Sequence, residues 1–246
     1  MEAVNLNMRA TVDNVATAAM RIAVPPRCLL CGAVGVAQRD LCAGCAGDLI
    51  LNAVCCPRCA LPLATPAPLC GECLAHEAPF TTAWAPFVYA HPLDLLETRF
   101  KFGRDLAAGR VLAELMVERA GIDVPEHPGL LIPIPLHRTR LRERGYNQAL
   151  ELARPLAHAL GIAVRHDLLV RGKATPPQTG LDAQARRRNL RGAFALAPDA
   201  RLPAHVVVFD DVMTTGATLR EAARVLLRGG AERIDVWVLA RAPAPR

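Results

Sequence analysis

The chain has 246 residues, 52% of them hydrophobic and 21% charged, which fits a globular protein with one substantial core and excludes intrinsic disorder and fibrous folds. The net charge of +6 is unevenly spread: Ile134 to Arg191 holds twelve Lys or Arg against four Asp or Glu, a local +8 that leaves −2 for the rest. No run approaches the roughly 18 consecutive apolar residues of a spanning helix. The Ala-rich stretch Val15–Val24 is interrupted by Arg21 and lacks a signal-peptide core, so a cytoplasmic location without a membrane span is expected.

After a helical or loose segment over residues 1–24 comes a cysteine module, placed at residues 25–77. All nine cysteines lie between Cys28 and Cys73, and eight form four CxxC pairs: Cys28/Cys31, Cys42/Cys45, Cys56/Cys59 and Cys70/Cys73. Ten residues separate each pair from the next, a repeat of 14. One CxxC turn supplies one edge of a tetrahedral Zn²⁺ and a second turn the other, so eight thiolates make two closed, structural zinc sites. Equal gaps permit consecutive or interleaved pairing. A weaker repeat of 28 residues, in which Leu41-Cys42 recurs as Leu69-Cys70, favours consecutive ribbons. Cys55 fits no pair and reads as a small buried residue. So short a module, poor in large apolar side chains, needs the metal as its core.

From residue 78 onward an α/β domain with a mainly parallel sheet is expected. Tyr89 to Gly121 is expected to be largely helical, with Leu93, Leu96, Phe100, Leu106, Val111, Leu112 and Leu115 on core faces. Leu130 to Pro135 reads as a strand ending in a Pro-Ile-Pro turn that cannot continue as helix. Arg138, Arg140, Arg142 and Arg144 then alternate with other residues, a ladder of guanidinium forks suited to a diphosphate. Asn147 opens a helix through Leu160. Val170 to Arg191 is rich in Pro, Gly and Arg, lacks a hydrophobic period and is too long for an ordinary connection. Such a stretch is expected to be a lid or disordered, with Lys173, Gln178 and Arg186–Arg188 as candidates to reach a pyrophosphate or a strand of nucleic acid.

The segment His205–Leu219, HVVVFDDVMTTGATL, carries the chemistry. Val206–Phe209 is a short apolar run of the kind found in buried parallel strands. Asp210 and Asp211 follow where the strand should emerge, the end at which open α/β sheets bind ligands. Thr214-Thr215-Gly216-Ala217-Thr218 then leads into an amphipathic stretch, and such a loop presents N–H groups and hydroxyls as an anion cradle. Two carboxylates would repel a bare phosphate, so they should face vicinal hydroxyls and a divalent cation on the same ligand. Arg233–Leu239 reads as the last strand and the tail from Ala240 as loose.

Residues 206–218 resemble the phosphoribosyl-pyrophosphate (PRPP) signature of type I phosphoribosyltransferases. Together with Phe100-Lys101-Phe102, Pro133-Ile134-Pro135-Leu136-His137, Arg142-Glu143-Arg144-Gly145-Tyr146-Asn147-Gln148 and Thr175-Pro176-Pro177-Gln178-Thr179-Gly180-Leu181, they make the chain similar to the ComF family. That resemblance implies a double zinc ribbon followed by a phosphoribosyltransferase domain at residues 78–246. It implies PRPP bound with Mg²⁺ against Lys101, Pro133, Ile134, Pro135, Arg144, Asp210, Asp211, Thr214, Thr215, Gly216, Ala217 and Thr218, with Asp210 and Asp211 as the catalytic pair. Purine-salvage members carry a further Asp in the loop; Thr214 stands in its place here, which argues against a purine acceptor. Three functions compete: single-stranded DNA handling during natural transformation with PRPP as ligand, transfer of phosphoribosyl to a nitrogen nucleophile, and an adaptor whose zinc ribbons dock another competence protein.

Overall fold

The structure is a computed structural model, described here for residues 25–124, 128–172 and 192–244. The chain divides into two compact units, one ending at Asp48 and the other beginning at Leu49.

In the first unit Arg27 pairs antiparallel with Val34, and a single helical turn α1 (Ala43–Gly47) starts at Cys42, whose sulfur accepts the Cys45 amide at 3.4 Å. Cys28 and Leu41 are buried.

The second unit opens with another ribbon, closed by a Cys55–Pro62 bridge and the short helix α2 (Gly71–Ala75). The α/β elements follow in order: β1 (Ala83–Trp84), β2 (Phe87–Val88), α3 (Leu93–Phe102), α4 (Leu106–Asp123), β3 (Leu130–Pro133), α5 (Arg138–Arg144), α6 (Gln148–Leu160), β4 (Ala163–Val164), β5 (Leu169–Arg171), β6 (Phe194–Leu196), β7 (His205–Met213), α7 (Ala217–Arg228) and β8 (Arg233–Arg241). The main sheet runs β1-β8-β7-β3-β4, with β2 also on β8, and every pairing in it is parallel. β5 and β6 form a separate antiparallel pair.

A parallel sheet covered on both faces requires strands apolar throughout, and β3 (LLIP) and the first part of β7 meet that demand. Because side chains alternate, Leu130, Ile132, Val206 and Val208 join one cluster with Leu219, Ala222, Ala223 and Leu226 of α7. Leu131, Val207 and Phe209 bury the opposite face, on which α6 packs. The first cluster also holds Cys56, Cys59, Cys70, Cys73 and Phe80, so the second cysteine quartet shares the core of the sheet.

Three expectations need revision. β7 continues through the acidic pair to Met213, because Asp210, Val212 and Met213 keep their register with β8. The tail is not loose at its start: Ala240 and Arg241 belong to β8 and are buried. Leu106 is 59% exposed and off the core, since Asp105 caps α4 immediately before it and the buried stripe starts at Ala108. Leu93, Leu96, Phe100, Val111, Leu112 and Leu115 are buried as expected.

Candidate functional site

The eight paired cysteines assemble as two quartets, Cys28/Cys31/Cys42/Cys45 and Cys56/Cys59/Cys70/Cys73, with the four sulfurs of each within 4.8 Å of one another. This is the consecutive pairing. The Sγ atoms of Cys31 and Cys42 lie 3.6 Å apart, as do those of Cys59 and Cys70. That separation is too long for a disulfide and close to the edge of about 3.8 Å that a tetrahedron with Zn–S bonds of about 2.3 Å requires. Donation from the Cys70 amide to Cys56 Sγ at 3.4 Å suits an electron-rich thiolate. Both quartets therefore fit structural Zn²⁺. Cys55 stands outside them, half-buried, its thiol pKa raised by burial and by the neighbouring Cys56.

The second assembly is a cavity of about 930 Å³ at the carboxyl ends of β3 and β7. Its floor comes from strand register: Pro133 lies opposite Phe209, and the Ile134 amide donates to the Phe209 carbonyl at 2.8 Å, so the Pro-Ile-Pro turn and the acidic pair emerge side by side. Asn147 fixes the turn. Its Nδ2 donates to the Ile134 carbonyl at 3.0 Å while its Oδ1 accepts the Ala149 amide at 3.1 Å as the N-cap of α6. On the other side Gly216 takes φ +72 before α7, a left-handed conformation costly to other residues, and opens the helix N-terminus toward the cavity. Thr215 Oγ1 accepts the Ala217 amide at 3.4 Å.

Of the residues expected to contact PRPP, Lys101, Ile134, Arg144, Asp210, Asp211 and Thr214 through Thr218 line this cavity. Pro133 and Pro135 are not among its lining residues; Pro133 is buried within β3 and shapes the turn from behind. Lys173, Gln178 and Arg186–Arg188 lie outside the described residues.

The electrostatics centre on Lys101. Its Nζ lies 3.0 Å from Glu97 Oε2, one helical turn back on α3, and 3.1 Å from Asp211 Oδ2. Both carboxylates hold the Lys101 ammonium charged against its own burial. Glu97 is 0% exposed, and burial, then the charge of Asp211, pushes its carboxyl up to about 7 despite the lysine. Asp211 Oδ1 accepts the Val212 amide at 2.6 Å, and Asp210 Oδ1 accepts the Asp211 amide at 3.0 Å. Desolvation, then Asp211, raises the Asp210 pKa well above its ordinary value, opposed by Lys101 and Arg171.

The expected arginine ladder is a helix. α5 is capped by His137, whose Nδ1 accepts the Thr139 amide at 3.3 Å, and ends at Gly145 with φ +87. Residues four apart share a helix face, so Arg140 and Arg144 line the cavity while Arg138 and Arg142 do not. Arg144 donates to Gln148 Oε1 at 2.8 Å, and its guanidinium lies 5.3 Å from the centre of the Phe102 ring, which also lines the cavity and is 69% exposed. Arg104 holds the end of α5 through the Glu143 carbonyl at 2.6 Å.

Sequence reasoning missed Glu97, Tyr89, Arg104 and Arg171, and it did not separate Arg140 from the other arginines of its segment. The Glu97–Lys101 spacing of four on an expected helix was a usable signal for the first. Arg171 is brought in by β5, a pairing of distant segments that carries no local mark.

Two family models match: a double zinc ribbon domain over residues 19–74 and a phosphoribosyl transferase domain over residues 147–246. The competence protein F of Haemophilus influenzae is 38% identical over 227 residues, covering 88% of this chain and 97% of that protein. The chain belongs to the ComF family. Another relative of this ComF protein is the DNA utilization protein YhgH of Salmonella typhimurium, 36% identical over 231 residues, 89% of this chain and 99% of the relative. In Bacillus subtilis the competence protein ComFC is 31% identical over 161 residues, 63% of this chain and 62% of that protein. The fold is accordingly the type I phosphoribosyltransferase fold joined to a double zinc ribbon. Among the described residues no helix is long and apolar enough to cross a membrane.

Proposed function

We propose that this ComF protein binds PRPP with Mg²⁺ in the cavity at the carboxyl ends of β3 and β7 and uses the site in handling single-stranded DNA during natural transformation. The observation that carries the reading is the convergence of Asp210, Asp211, Lys101 and the Thr214–Thr218 loop on one cavity. The 5-phosphate lies in the threonine loop at the α7 N-terminus, where amides and the helix dipole favour an anion. The ribose hydroxyls meet Asp210 and Asp211. The pyrophosphate faces Arg140, Arg144 and Arg171, whose guanidinium forks match its oxygens.

Mg²⁺ fits as an ion carried by the ligand's own oxygens, which this cation prefers to an all-protein cage. Asp211 is already neutralised by Lys101, so Asp210 is the carboxylate left to face it. When bound, the ion offsets charge on the diphosphate. With DNA, the arginine-rich rim tracks the backbone and the exposed Phe102 ring beside Arg144 offers a stacking surface to a base. The names of the relatives, competence protein F and DNA utilization protein, point the same way.

Titration calorimetry with PRPP and Mg²⁺ tests the reading. Asp210→Asn with Asp211→Asn should abolish magnesium-dependent binding while metal content stays at the native level. Unchanged affinity in that variant would end it.

A further inference from the structure

Arg241, the last residue of β8, is buried and touches two functional structures at once. Its Nε donates to the carbonyl of Cys59 at 3.1 Å. Its Nη1 donates to the carbonyls of Met213 at 3.0 Å and Ala242 at 2.7 Å, and also to that of Thr214. Cys59 belongs to the second cysteine quartet; Met213 and Thr214 open the threonine loop.

We infer that Arg241 makes the second zinc knuckle part of the phosphate-binding site, tying the Cys59 turn to the threonine loop so that metal on one and phosphate on the other stabilise each other. This rests on the reading that the loop binds the 5-phosphate.

Two physical points support it. The first is direction. Carbonyls of Met213 and Thr214 turned back onto a guanidinium hold the start of the loop in one orientation, and the strap is doubled where the Ala242 amide donates to the Met213 carbonyl at 3.0 Å. Gly216 then turns the chain into α7. The loop is therefore anchored from behind, from the side on which the knuckle packs, and not from the cavity. The second is charge. The four acceptors named for Arg241 are neutral carbonyls, so its buried positive charge needs a source of negative potential. Four thiolates around Zn²⁺ carry a net −2, and Cys59 is the residue whose backbone the guanidinium grips. Without the metal that fixes the Cys59 turn, the Cys59 carbonyl is no longer held against the guanidinium. Coupling of this kind is reciprocal by linkage: if zinc tightens the loop on phosphate, phosphate must tighten the knuckle on zinc by the same factor.

The test uses the full chain. Zinc release into excess chelator is followed with a metallochromic indicator, with and without saturating PRPP and Mg²⁺, and Cys31→Ser assigns the phases by removing the first site. Amide exchange is read in parallel at Ala242 and Arg220, whose acceptors are the Met213 and Gly216 carbonyls. PRPP should slow release from the second quartet about tenfold and leave the first unchanged. Arg241→Lys keeps the charge but reaches fewer carbonyls. It should retain both metals, weaken PRPP about tenfold, speed exchange at both amides and cut the PRPP effect on zinc to under twofold, since a charged hydrogen bond is worth roughly that factor or more. PRPP binding to the native chain with both release phases unaltered would overturn the inference, as would native exchange rates and affinity in Arg241→Lys. If PRPP fails to bind the native chain, the binding reading falls, yet exchange in Arg241→Lys and on emptying the second quartet still decides the strap. If Arg241→Lys does not fold, native release and exchange decide it alone.

Discussion

Lys101→Met removes the cation that stands between two carboxylates. Nζ lies 3.0 Å from Glu97 and 3.1 Å from Asp211, and Glu97 is fully buried with its carboxyl already at about 7. Leaving a buried charge without its partner costs about 3–5 kcal/mol, and Glu97 escapes part of that by taking a proton. Linkage sets the sign. A carboxyl whose pKa is higher in the folded chain than in the unfolded one, here about 7 against 4.5, binds more protons when folded, so its contribution to stability falls as pH rises through that window. Without the lysine the folded pKa climbs further, and the deficit relative to the native chain grows with pH. The expected loss is about 1 kcal/mol at pH 5 and about 3 kcal/mol at pH 8. For a chain of this length that is a Tm deficit of roughly 6–12 °C at the higher pH. Denaturant titrations at pH 5, 6.5 and 8 on the native chain, Lys101→Met and Lys101→Met with Glu97→Gln measure it, the zinc sites being common to all three. The double variant should recover most of the deficit because no charge is stranded on residue 97. A loss equal at pH 5 and pH 8, or a double variant no better than the single, would refute the reasoning.

Metal analysis should find two Zn²⁺ per chain, still two in Cys55→Ser, and one in Cys59→Ser. Gly216→Ala should lower PRPP affinity about tenfold, since a residue at φ +72 is strained and the added Cβ would stand 2.5 Å from Met213 Cε; calorimetry reads it, and native affinity would mean that the loop geometry does not matter. Single-stranded DNA affinity should fall steeply with salt. Arg140→Gln with Arg144→Gln should flatten the slope by roughly 1.4, at about 0.7 per phosphate contact, and PRPP should compete; salt-independent binding would exclude the cavity rim.

Where a function is set by local covalent spacing, the sequence displayed it. The CxxC pairs and the Val206-to-Thr218 segment each combine residue types whose chemistry fixes their neighbours, so both metal quartets and the strand, acidic pair and loop could be found by inspection. Consecutive pairing rested on a two-residue repeat, Leu41-Cys42 and Leu69-Cys70, and the quartets agree. What stayed hidden depends on tertiary placement. The arginines from 138 to 144 suggest a ladder by alternation, but a His137 cap and a Gly145 stop wind them into a helix that sorts Arg140 and Arg144 from Arg138 and Arg142. Ala240 and Arg241 look like the start of a Pro-rich tail because nothing local shows that carbonyls 28 and 182 residues away will receive the guanidinium. The core shared by the second ribbon and the sheet is equally non-local.

The arrangement around Lys101 also resolves a difficulty posed by the sequence: two adjacent acids beside a site for a polyanion. Left alone they would repel the ligand they are meant to hold. In the folded chain one of them, Asp211, is offset by Lys101, whose second partner, Glu97, is a carboxyl that titrates near neutrality. The other, Asp210, has its pKa raised by desolvation and by Asp211, opposed by Lys101. The cavity therefore presents the α7 N-terminus with Arg140, Arg144 and Arg171, while Glu143 is a further acid in its lining. In the proposed complex a divalent ion entering with the diphosphate would favour the ionised form of Asp210. There the acidic pair meets the diol and the cation together, with Lys101 already offsetting Asp211.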